Sequence, residues 1–460
     1  MTEIDLKGSI TMTRFNKQNN VVDVIGIGIG PFNLGLAALS EEVNDIEALF
    51  FEKSDAFHWH PGMLIEGTTL QVPFLADLVS MADVKSKYSF LNYLQEQNRL
   101  YSFYFLEDFH IPRKEYSHYC RWVAEQLDSC RFGMNVESVS LIEKAGEKRY
   151  EVHVRHVKDQ TIEVFESKHL VLGIGTQPAI PASLQPALGD RVFHSAEYLK
   201  RKKEGCFKGK SVTVVGSGQS AAEVFYDILS DDGAKDIHWF TRSKGFFPME
   251  YSNLGLEYFS PDYIDFFYEL PQTKKDALLK QQDLLYKGIS SAMIRDIYHL
   301  LYERSACGEK LNTVLQAMTE VNLIEETANG LSLSCCQWVN EESFTHETDI
   351  VVLATGYQSV LPPFINPIAH HIQWDDQGRF QVEREYRLKT NAMGENDIFV
   401  QNAELHTHGV GAPDLGLGAY RNSVIINELA RQTVYPLYQK HVFQTFGTHK
   451  NANTFVEIKG

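Results

Sequence analysis

The stretch VDVIGIGIGPFNLGLAAL, which runs from Val22 to Leu39, decides the fold of this chain. The apolar run from Val21 to Ile25, interrupted only by Asp23, predicts a buried parallel strand. The apolar, alanine-rich segment from Pro31 to Leu39 predicts a helix. Between the two lies a turn that contains Gly26, Gly28 and Gly30. Strand, glycine turn and helix in this order predict a nucleotide-binding α/β unit.

The glycine turn has the chemistry of a pyrophosphate site. Gly26 permits a tight turn, and Gly28 lets the backbone approach a phosphate at the helix N-terminus, where free N–H groups point outward. Pro31 suits the first helical turn but stands where the usual fingerprint has a third glycine. An acid for a ribose hydroxyl follows as Glu52, at the end of the apolar run from Ala48 to Phe51. These features predict dinucleotide binding, and the alternative is a turn with a structural role alone.

Length and charge limit the classes of function. At 460 residues the chain predicts two or three domains, and its 43% hydrophobic and 22% charged residues are ordinary for a globular protein. The net charge of −17 argues against nucleic acid or an anionic membrane as partner and suits a cationic small molecule. Simple solubility is the alternative explanation of the charge.

Cysteine usage and the chain ends favour the cytoplasm. The six cysteines show no C-x-x-C spacing, so neither a zinc knuckle nor a redox dithiol is indicated. Scattered cysteines fit a reducing compartment. No apolar run reaches membrane-spanning length, and the polar segment 1–20 has no signal-peptide core. We expect residues 1–20 to be disordered and residues 446–460 to form a flexible tail.

A second glycine turn follows about 190 residues after the first, in KSVTVVGSGQSAAE, from Lys210 to Glu223. The next apolar strand, Ile237 to Phe240, ends in a segment with Arg242 and Ser243 rather than in an acid. A cationic and hydroxyl strand end suits a ribose 2′-phosphate and predicts NADP(H) rather than NAD(H). Solvated surface charge is the alternative.

The rest of the sequence predicts further helices and buried strands and contains two histidines that could bind a metal. Helices are predicted at Tyr88–Arg99, Ile111–Leu127, Gly255–Arg304 and Leu417–Arg431, and further buried strands at His169–Gly175 and Asp349–Tyr357. We expect the first of these strands to return to the first sheet. His58 and His60 could be metal ligands, but no third ligand keeps metal spacing nearby, so we favour histidines in a polar cofactor pocket and predict no metal.

Seven motifs together resemble the N-hydroxylating flavin monooxygenases of siderophore biosynthesis, which include ornithine and lysine N-monooxygenases and relatives that act on diamines. The motifs are GIGIGPFNL, FHWHPGM, QVPFLADL, FLNYL, GSGQSAAE, LATGY and HTHG, and the resemblance runs from about Val21 to Arg431. It implies an α/β fold with two Rossmann-like domains, for FAD and NADPH, and a small helical substrate subdomain. It also implies that NADPH reduces FAD, which then uses O₂ to hydroxylate a primary amine.

The resemblance implies a discontinuous FAD domain. Its first part would span residues 21–207, and a second part with the substrate loop would span 349–445. The NADPH domain, with a helical insertion, would span 208–348. The strand at Asp349–Tyr357 is expected on the FAD side because its ATG motif and the later HTHG loop match FAD-side motifs of the family.

The resemblance also assigns individual residues. On the FAD side it places Gly26, Gly28, Gly30, Pro31 and Glu52 at the pyrophosphate and ribose, Trp59, His60 and Met63 along the flavin, Gln71 near its reactive face as the candidate catalytic residue, and Thr355 and Gly356 at the strand end that closes the site. On the NADPH side it places Gly216, Ser217, Gly218, Gln219 and Ser220 at the phosphates, and Arg242 with Ser243 at the 2′-phosphate.

Departures from the family pattern indicate the substrate. The amino-acid hydroxylases have a lysine that binds the substrate carboxylate where this chain has Ala76. Leu256 and Ile289 align with their asparagines, and Gly416, after Leu415, aligns with a serine. Burying a carboxylate without a cation costs several kcal/mol. These positions therefore predict a decarboxylated amine such as putrescine, cadaverine or histamine.

Alternatives remain open. Lys85 or Lys287 could supply the missing cation, which would restore an L-lysine or L-ornithine monooxygenase. A monooxygenase of sulfides or ketones gives no reason for FLADL and HTHG, and the absent C-x-x-C excludes a disulfide reductase. A non-enzymatic NADPH-binding regulator would not need an intact FAD site. We expect a homo-oligomer, either a dimer or a tetramer.

Overall fold

The computed structural model describes residues 21–231, 233–391 and 394–448. The strands in chain order are β1 (Val21–Ile27), β2 (Ala48–Glu52), β3 (Cys130–Phe132), β4 (Met134–Lys144), β5 (Glu147–His156), β6 (Ile162–Leu172), β7 (Gln177–Pro178), β8 (Val192–His194), β9 (Ser211–Val215), β10 (Asp236–Phe240), β11 (Thr313–Gln316), β12 (Thr319–Thr327), β13 (Gly330–Gln337), β14 (Glu342–Thr348), β15 (Ile350–Leu353), β16 (Tyr357–Gln358) and β17 (Ile398–Val400).

The α-helices are α1 (Pro31–Glu41), α2 (Phe90–Glu96), α3 (Leu100–Leu106), α4 (Arg113–Ala124), α5 (Tyr198–Lys203), α6 (Gln219–Asp231), α7 (Asn253–Leu256), α8 (Pro261–Tyr268), α9 (Gln272–Gln281), α10 (Asp283–Tyr286), α11 (Ser291–Arg304), α12 (Leu405–His408) and α13 (Gly418–Ala430). Short 3₁₀ turns include Pro61–Met63 and Leu415–Leu417. The four predicted helical regions are all helical, with ends that differ by a few residues.

The first sheet has the order β3-β2-β1-β6-β5-β4, and β17 also pairs with β6. β1 pairs in parallel with β2 and β6, whereas β4, β5 and β6 are antiparallel. Val24 and Ile25 of β1 are both fully buried in cores on opposite faces of the sheet. Burial on both faces explains the continuous apolar run in the sequence. The predicted return of His169–Gly175 to this sheet is confirmed, through β6.

The second sheet is entirely parallel, with the order β11-β10-β9-β15-β8. Its central strand, β9, leads into the second glycine turn and α6. Beside it, β12, β13 and β14 form a three-stranded antiparallel sheet, and β7 pairs with β16 in a two-stranded link. The two glycine turns thus lie at the carboxyl ends of parallel strands in two different sheets, where nucleotides bind in such folds.

The position of β15 corrects the predicted domain boundaries. We expected Asp349–Tyr357 on the FAD side, but Ile350–Leu353 pairs with β9 and β8 in the second sheet. β8 also lies in that sheet although it falls within residues 21–207. The later strand β17 does return to the first sheet. Short apolar strands buried on both faces have the same composition in either sheet, so the sequence pattern could not reveal their partner.

The helical region from α7 to α11 lies next to the C-terminal segment. Tyr263 and Phe267 of α8 form a small buried core with Val410, directly after the HTHG motif. Gly409 has a φ of 80°, and a Cβ there would lie 3.1 Å from the Phe267 ring, so glycine permits this close approach. The predicted disorder of residues 1–20 and most of the predicted tail, 449–460, lie outside the described residues.

Candidate functional site

The first glycine turn is shaped by backbone contacts that exclude side chains. Gly28 has a φ of 85°, and a Cβ there would lie 2.5 Å from the Gly173 carbonyl oxygen. A Cβ at Gly26 would lie 2.1 Å from the Phe50 ring. At Gly30, which precedes α1, a Cβ would meet no atom within 4 Å. The turn is thus closed against β2 and β6 and open in front of the helix start, which fits a dinucleotide pyrophosphate.

The Glu52 carboxylate stabilises this turn by accepting two backbone hydrogen bonds. The Ile29 amide donates to Glu52 Oε2 at 3.0 Å, and the Ser54 amide donates to Oε1 at 3.0 Å. Each carboxylate oxygen keeps acceptor capacity for a ribose hydroxyl. The residue therefore stands at the predicted end of β2 and also fixes the loop that precedes Pro31.

Asn33 is a residue of the turn that sequence reasoning missed. It is fully buried, and its Nδ2 donates to the Gly28 carbonyl at 2.8 Å. Its Oδ1 accepts from Gln401 Nε2 at 2.7 Å, just after β17. A Cβ at Gly173 would lie 2.4 Å from the Asn33 amide. A polar residue in the middle of an otherwise apolar helix start is the signal that could have revealed it, since buried amides need partners.

The second glycine turn is built in the same way. A Cβ at Gly216 would lie 2.2 Å from the Ala354 carbonyl oxygen, directly after β15, and Trp239 Nε1 donates to the Gly216 carbonyl at 2.8 Å. A Cβ at Gly218 would lie 3.4 Å from the Lys287 carbonyl oxygen. Ser217 and Ser220, beside these glycines, are partly exposed. The turn fits a second pyrophosphate.

Two predicted NADPH residues differ in their surroundings. The Gln219 side chain is engaged within the protein: its Nε2 donates to Glu223 at 2.8 Å and its Oε1 accepts from the Ser290 amide at 2.7 Å. Arg242 follows β10, next to the Gly216 turn, and its side chain is 77% exposed. The adjacent Ser243 amide donates to Thr241 Oγ1 at 3.1 Å. Arg242 Nη1 lies 3.7 Å from the partly exposed Glu320 carboxylate, in an ion pair that a bound phosphate would replace, whereas Gln219 shapes the turn.

Side chains of the segment FHWHPGM pack in two different cores, one against the first sheet and one against the second; these two sheets with their helices are called the first and second units below. The Trp59 ring lies 5.2 Å from the His60 ring and 5.0 Å from Tyr116, and His60 lies 5.6 Å from Tyr357. Desolvation in the cleft, and then the Arg113 charge, lower the pKa of His60. The predicted flavin contact by the side chain of Met63 is not supported, because that side chain is only 2% exposed and packs in the core of the second unit.

The other predicted flavin residues are placed as follows. Gln71 is partly exposed, but its Nε2 is buried and has no hydrogen-bond partner within the described residues, which fits an amide that faces a bound group. Thr355 donates to the Ala179 carbonyl at 2.7 Å, and the Gly356 carbonyl accepts from His194 Nε2 at 3.0 Å. Thr355 and Gly356 therefore stabilise the backbone just after β15 by hydrogen bonds to the segments around Ala179 and His194.

His58 has partners other than a metal. Its Nε2 lies 3.2 Å from Asp55 Oδ1, and its Nδ1 lies 3.4 Å from Arg121 Nη2. Among the described residues, no group of three or more His, Cys, Asp or Glu side chains is arranged to hold a metal ion. In the same part of the chain, no helix is both long and apolar enough to cross a membrane.

The structure brings two predicted substrate positions together. A Cβ at Gly416 would lie 3.8 Å from Ala76 Cβ and 2.8 Å from Asp414 Oδ1. Leu415 lines a small cavity with Pro31, so this C-terminal loop lies against the start of α1. The FLADL and C-terminal segments, about 340 residues apart in the sequence, therefore form one wall beside the first glycine turn.

Asp77 positions Ala76. It is 4% exposed and accepts backbone N–H groups from Val79 at 3.0 Å, Ser80 at 2.7 Å and Phe90 at 2.7 Å. These bonds fold the segment after Ala76 and tie it to the start of α2. The acid of the FLADL motif thus has a structural explanation.

The two remaining substrate candidates, Leu256 and Ile289, differ in solvent exposure. Leu256 ends α7 and is 40% exposed, so its side chain is accessible. Ile289 is fully buried in the core of the second sheet, and this burial does not support the predicted substrate contact by its side chain. A motif position locates a residue in the sequence, but it does not determine on which side of the backbone the side chain lies.

Neither Lys287 nor Lys85 is described in a position to bind a substrate carboxylate. Lys287 Nζ lies 2.6 Å from Asp283 in an ion pair on an exposed helix end. Lys85 is also exposed, and its amide donates to Asp83 at 3.0 Å. Neither residue has a described contact with Ala76 or Gly416.

Comparison with known proteins agrees with this geometry. Residues 20–359 match the family profile described as L-lysine 6-monooxygenase/L-ornithine 5-monooxygenase. This chain belongs to that family. The prediction of an FAD-containing, NADPH-dependent N-hydroxylating monooxygenase with two Rossmann-type domains is thereby confirmed.

Three relatives illustrate the range of the family. The enzyme is 44% identical to a putrescine N-hydroxylase from Shewanella oneidensis, over 93% of this chain and 84% of the relative. Its structure resembles the FAD-bound cadaverine monooxygenase of desferrioxamine biosynthesis from Erwinia amylovora, with a TM-score of 0.89, 43% identity and coverage of 94% and 99% of the two chains. Identity to an L-lysine N6-monooxygenase from Escherichia coli is 33%, over 90% and 96% of the two chains.

An ion pair between the two units of the monooxygenase escaped sequence reasoning. Arg113 of α4 and Glu223 of α6 form two hydrogen bonds, of 2.7 and 2.6 Å, with side chains 12% and 1% exposed. Burial raises the pKa of Glu223, while Arg113 and Gln219 act against that shift. Glu223 also accepts from Gln219, so the pair connects α4 to the second glycine turn. The partners are 110 residues apart, and no local pattern links them.

Proposed function

We propose that this enzyme N-hydroxylates one amino group of a diamine, with putrescine and cadaverine as first candidates and histamine as a further one, in hydroxamate siderophore biosynthesis. The proximity of positions 76 and 416 carries the proposal, since a Cβ at Gly416 would lie 3.8 Å from Ala76 Cβ. At these two adjoining positions the amino-acid hydroxylases resembled above have a lysine and a serine, whereas here both lack a polar group.

The energetic consequence is selective. A substrate carboxylate beside Ala76 and Gly416 would lose its water without gaining a cation, at a cost of several kcal/mol. A decarboxylated amine avoids that cost, so the pocket disfavours amino acids as well as lacking a site for them. The names of the putrescine and cadaverine relatives support this assignment.

Residues of both glycine turns would hold the cofactors. We assign Gly26, Gly28, Gly30 and Glu52 to FAD, with Gln71 toward the ring, and Gly216, Gly218 and Arg242 to NADPH. Reduced FAD supplies the chemistry that activates O₂ for oxygen transfer to the amine. The chain itself positions the amine and excludes water. Because the reacting amine must be neutral and ordinarily has a pKa of ~10.4, partial desolvation would favour its reactive form.

The proposal includes a cytoplasmic homo-oligomer. All six cysteines are free, which suits a reducing compartment. α3 has no buried residue, and Tyr101, Tyr104 and Phe105 on it are 70% or more exposed. Such an apolar surface is typical of a contact between subunits. Light scattering on the purified protein tests the oligomeric state.

A product assay tests the proposed substrate. Hydroxylamine formation and NADPH oxidation would be measured together for putrescine, cadaverine, histamine, L-ornithine and L-lysine. We expect coupled product from a diamine with kcat/KM roughly ten- to a hundredfold above that of either amino acid, because a charge-assisted contact contributes about 1.5–3 kcal/mol. Equal or better coupled turnover of lysine or ornithine would contradict the proposal.

A further inference from the structure

An acid lies beside position 416, where the amino-acid hydroxylases have a serine and which adjoins Ala76, the position of their lysine. The Gly416 amide donates to Asp414 Oδ1 at 2.7 Å. The point where a Cβ at position 416 would stand lies 2.8 Å from that oxygen and 3.8 Å from Ala76 Cβ. The space left by two missing side chains is therefore bordered by a carboxylate. A larger residue at position 416 would cover this oxygen.

The charge of Asp414 is not matched by an ion-pair partner within the described residues. Arg421, the cation whose charge acts on Asp414, is 1% exposed and pairs with Glu404 at 3.0 Å. Arg421 Nη2 also donates to the Ala412 carbonyl at 2.6 Å. Tyr251 faces Asp414 from the segment before α7, and its pKa is raised to about 12 by burial and then by Asp414. Burial raises the pKa of Asp414 itself to about 6.

We infer that the Asp414 carboxylate binds the distal ammonium group of the diamine, the one that is not hydroxylated. This inference rests on the proposed diamine hydroxylation. A diamine differs from the corresponding amino acid by loss of the α-carboxylate and retention of the α-ammonium, so the end of the substrate that Ala76 and Gly416 face changes from zwitterionic to cationic. This chain lacks the lysine that would bind the carboxylate and has an acid beside position 416. An ammonium provides three donors, and the carboxylate accepts them.

A structural role of Asp414 is the competing explanation, because its Oδ1 caps the turn Leu415–Leu417. Asp414→Asn separates the two roles: the amide oxygen can still accept from Gly416, but the charge is lost. Gly416→Ala is a second variant that keeps the charge and displaces it, since the added Cβ would come within 2.8 Å of Oδ1. Asp376→Asn, on an exposed turn, is the matched control.

The experiment compares diamines with monoamines of equal length. kcat/KM for coupled hydroxylamine formation is measured with cadaverine against n-pentylamine and with putrescine against n-butylamine, together with FAD content and thermal midpoint. We expect Asp414→Asn to lower kcat/KM for the diamines about ten- to a hundredfold while the monoamines change less than about twofold. Gly416→Ala should reduce the diamine preference several-fold, and Asp376→Asn should leave it unchanged.

The experiment distinguishes failure of the Asp414 assignment from failure of the proposed diamine hydroxylation. If the wild-type enzyme hydroxylates diamines but Asp414→Asn and Gly416→Ala both keep the wild-type ratio of diamine to monoamine, or lower both substrates equally, Asp414 has only a structural role. If the wild-type enzyme hydroxylates no diamine with coupling, the proposed function itself fails. Should Asp414→Asn not fold, the ratio for Gly416→Ala decides the assignment alone.

Discussion

Arg113 and Glu223 join the FAD and NADPH units through a bidentate ion pair that is almost completely buried. Arg113 Nε also donates to the Thr69 carbonyl at 3.2 Å, close to Gln71 in the sequence. Glu223 is held by Gln219 at the start of the second glycine turn. One pair of side chains thus connects the backbone just before Gln71 to the start of the second glycine turn.

Breaking this pair should destabilise the protein and slow flavin reduction. Glu223→Gln leaves the Arg113 charge buried without its partner, which typically costs about 3–5 kcal/mol. We expect a lower thermal midpoint and a slower reduction of FAD by NADPH in stopped-flow measurements. Glu115→Gln, which removes an ion pair with the half-exposed Arg99, is the control and should cost less than about 1 kcal/mol.

The double variant Arg113→Met with Glu223→Met refines this prediction. Replacing both charges by apolar side chains removes the unpaired charge, so stability should return in part. Flavin reduction should remain slow, because the fixed geometry between the units is lost. A Glu223→Gln protein with wild-type stability would show that solvent reaches the pair and that its burial contributes little.

Gly28→Ala should abolish stable FAD binding. A Cβ at position 28 would lie 2.5 Å from the Gly173 carbonyl oxygen and the φ of 85° disfavours any side chain. Gly67→Ala is a matched control, since Gly67 has a φ of 78° but no atom within 4 Å of its Cβ position. FAD content of the purified proteins is read from the visible absorption spectrum. Retention of FAD by Gly28→Ala at the level of Gly67→Ala would contradict the assignment of this turn.

Both nucleotide turns could be found from the sequence because each is a local signal. A buried strand, closely spaced glycines and a small-residue helix start lie within about 20 residues. At Gly26, Gly28 and Gly216 an atom within 2.5 Å of the Cβ position excludes a side chain, whereas that position is open at Gly30 and makes only an ordinary contact of 3.4 Å at Gly218. The pairing of β15 could not be found in this way. Ile350–Leu353 is apolar on both faces, and whether it joins the first or the second sheet is decided by contacts far away in the sequence.

In the candidate site, too, the sequence predicts which positions matter better than it predicts where their side chains pack. Motifs identify Ala76 and Gly416, and the two positions adjoin, since a Cβ at Gly416 would lie 3.8 Å from Ala76 Cβ; the Ala76 side chain is itself 5% exposed. Met63 and Ile289 also stand at motif positions, but their side chains are buried in the second core. Which face of the backbone an apolar residue presents depends on tertiary packing. No sequence motif singles out Asp414, since an acid in a loop is typical of a solvated turn, and its chemical meaning comes from its position beside Gly416.

Arg242→Ala should weaken NADPH binding selectively. The exposed Arg242 guanidinium follows β10 beside the second glycine turn, where a 2′-phosphate would lie. Loss of a charge-assisted contact of about 1.5–3 kcal/mol predicts a rise in KM for NADPH of roughly ten- to a hundredfold, with little change for NADH. Lys244→Ala, two residues further along, is the control. An equal rise for both nucleotides would remove the 2′-phosphate assignment.

The preference for diamines over monoamines should depend on pH through Asp414. Burial raises the pKa of its carboxyl to about 6, so the group is charged above that value and loses its charge as the pH falls through it. Tyr251, which faces it and whose pKa is raised to about 12, remains neutral in this range. Arg421, whose charge also acts on Asp414, is buried and paired with Glu404.

The ratio of kcat/KM for cadaverine to that for n-pentylamine isolates this titration. Both substrates lose reactive neutral amine equally at low pH, so that effect cancels, and kcat/KM reports the ionisation of the free enzyme. We expect a constant ratio above about pH 7 and a decline between about pH 7 and pH 5. Asp414→Asn should give a low ratio that does not change with pH, because the titrating charge is gone. A wild-type ratio that stays constant down to pH 5 would mean that another group recognises the distal ammonium.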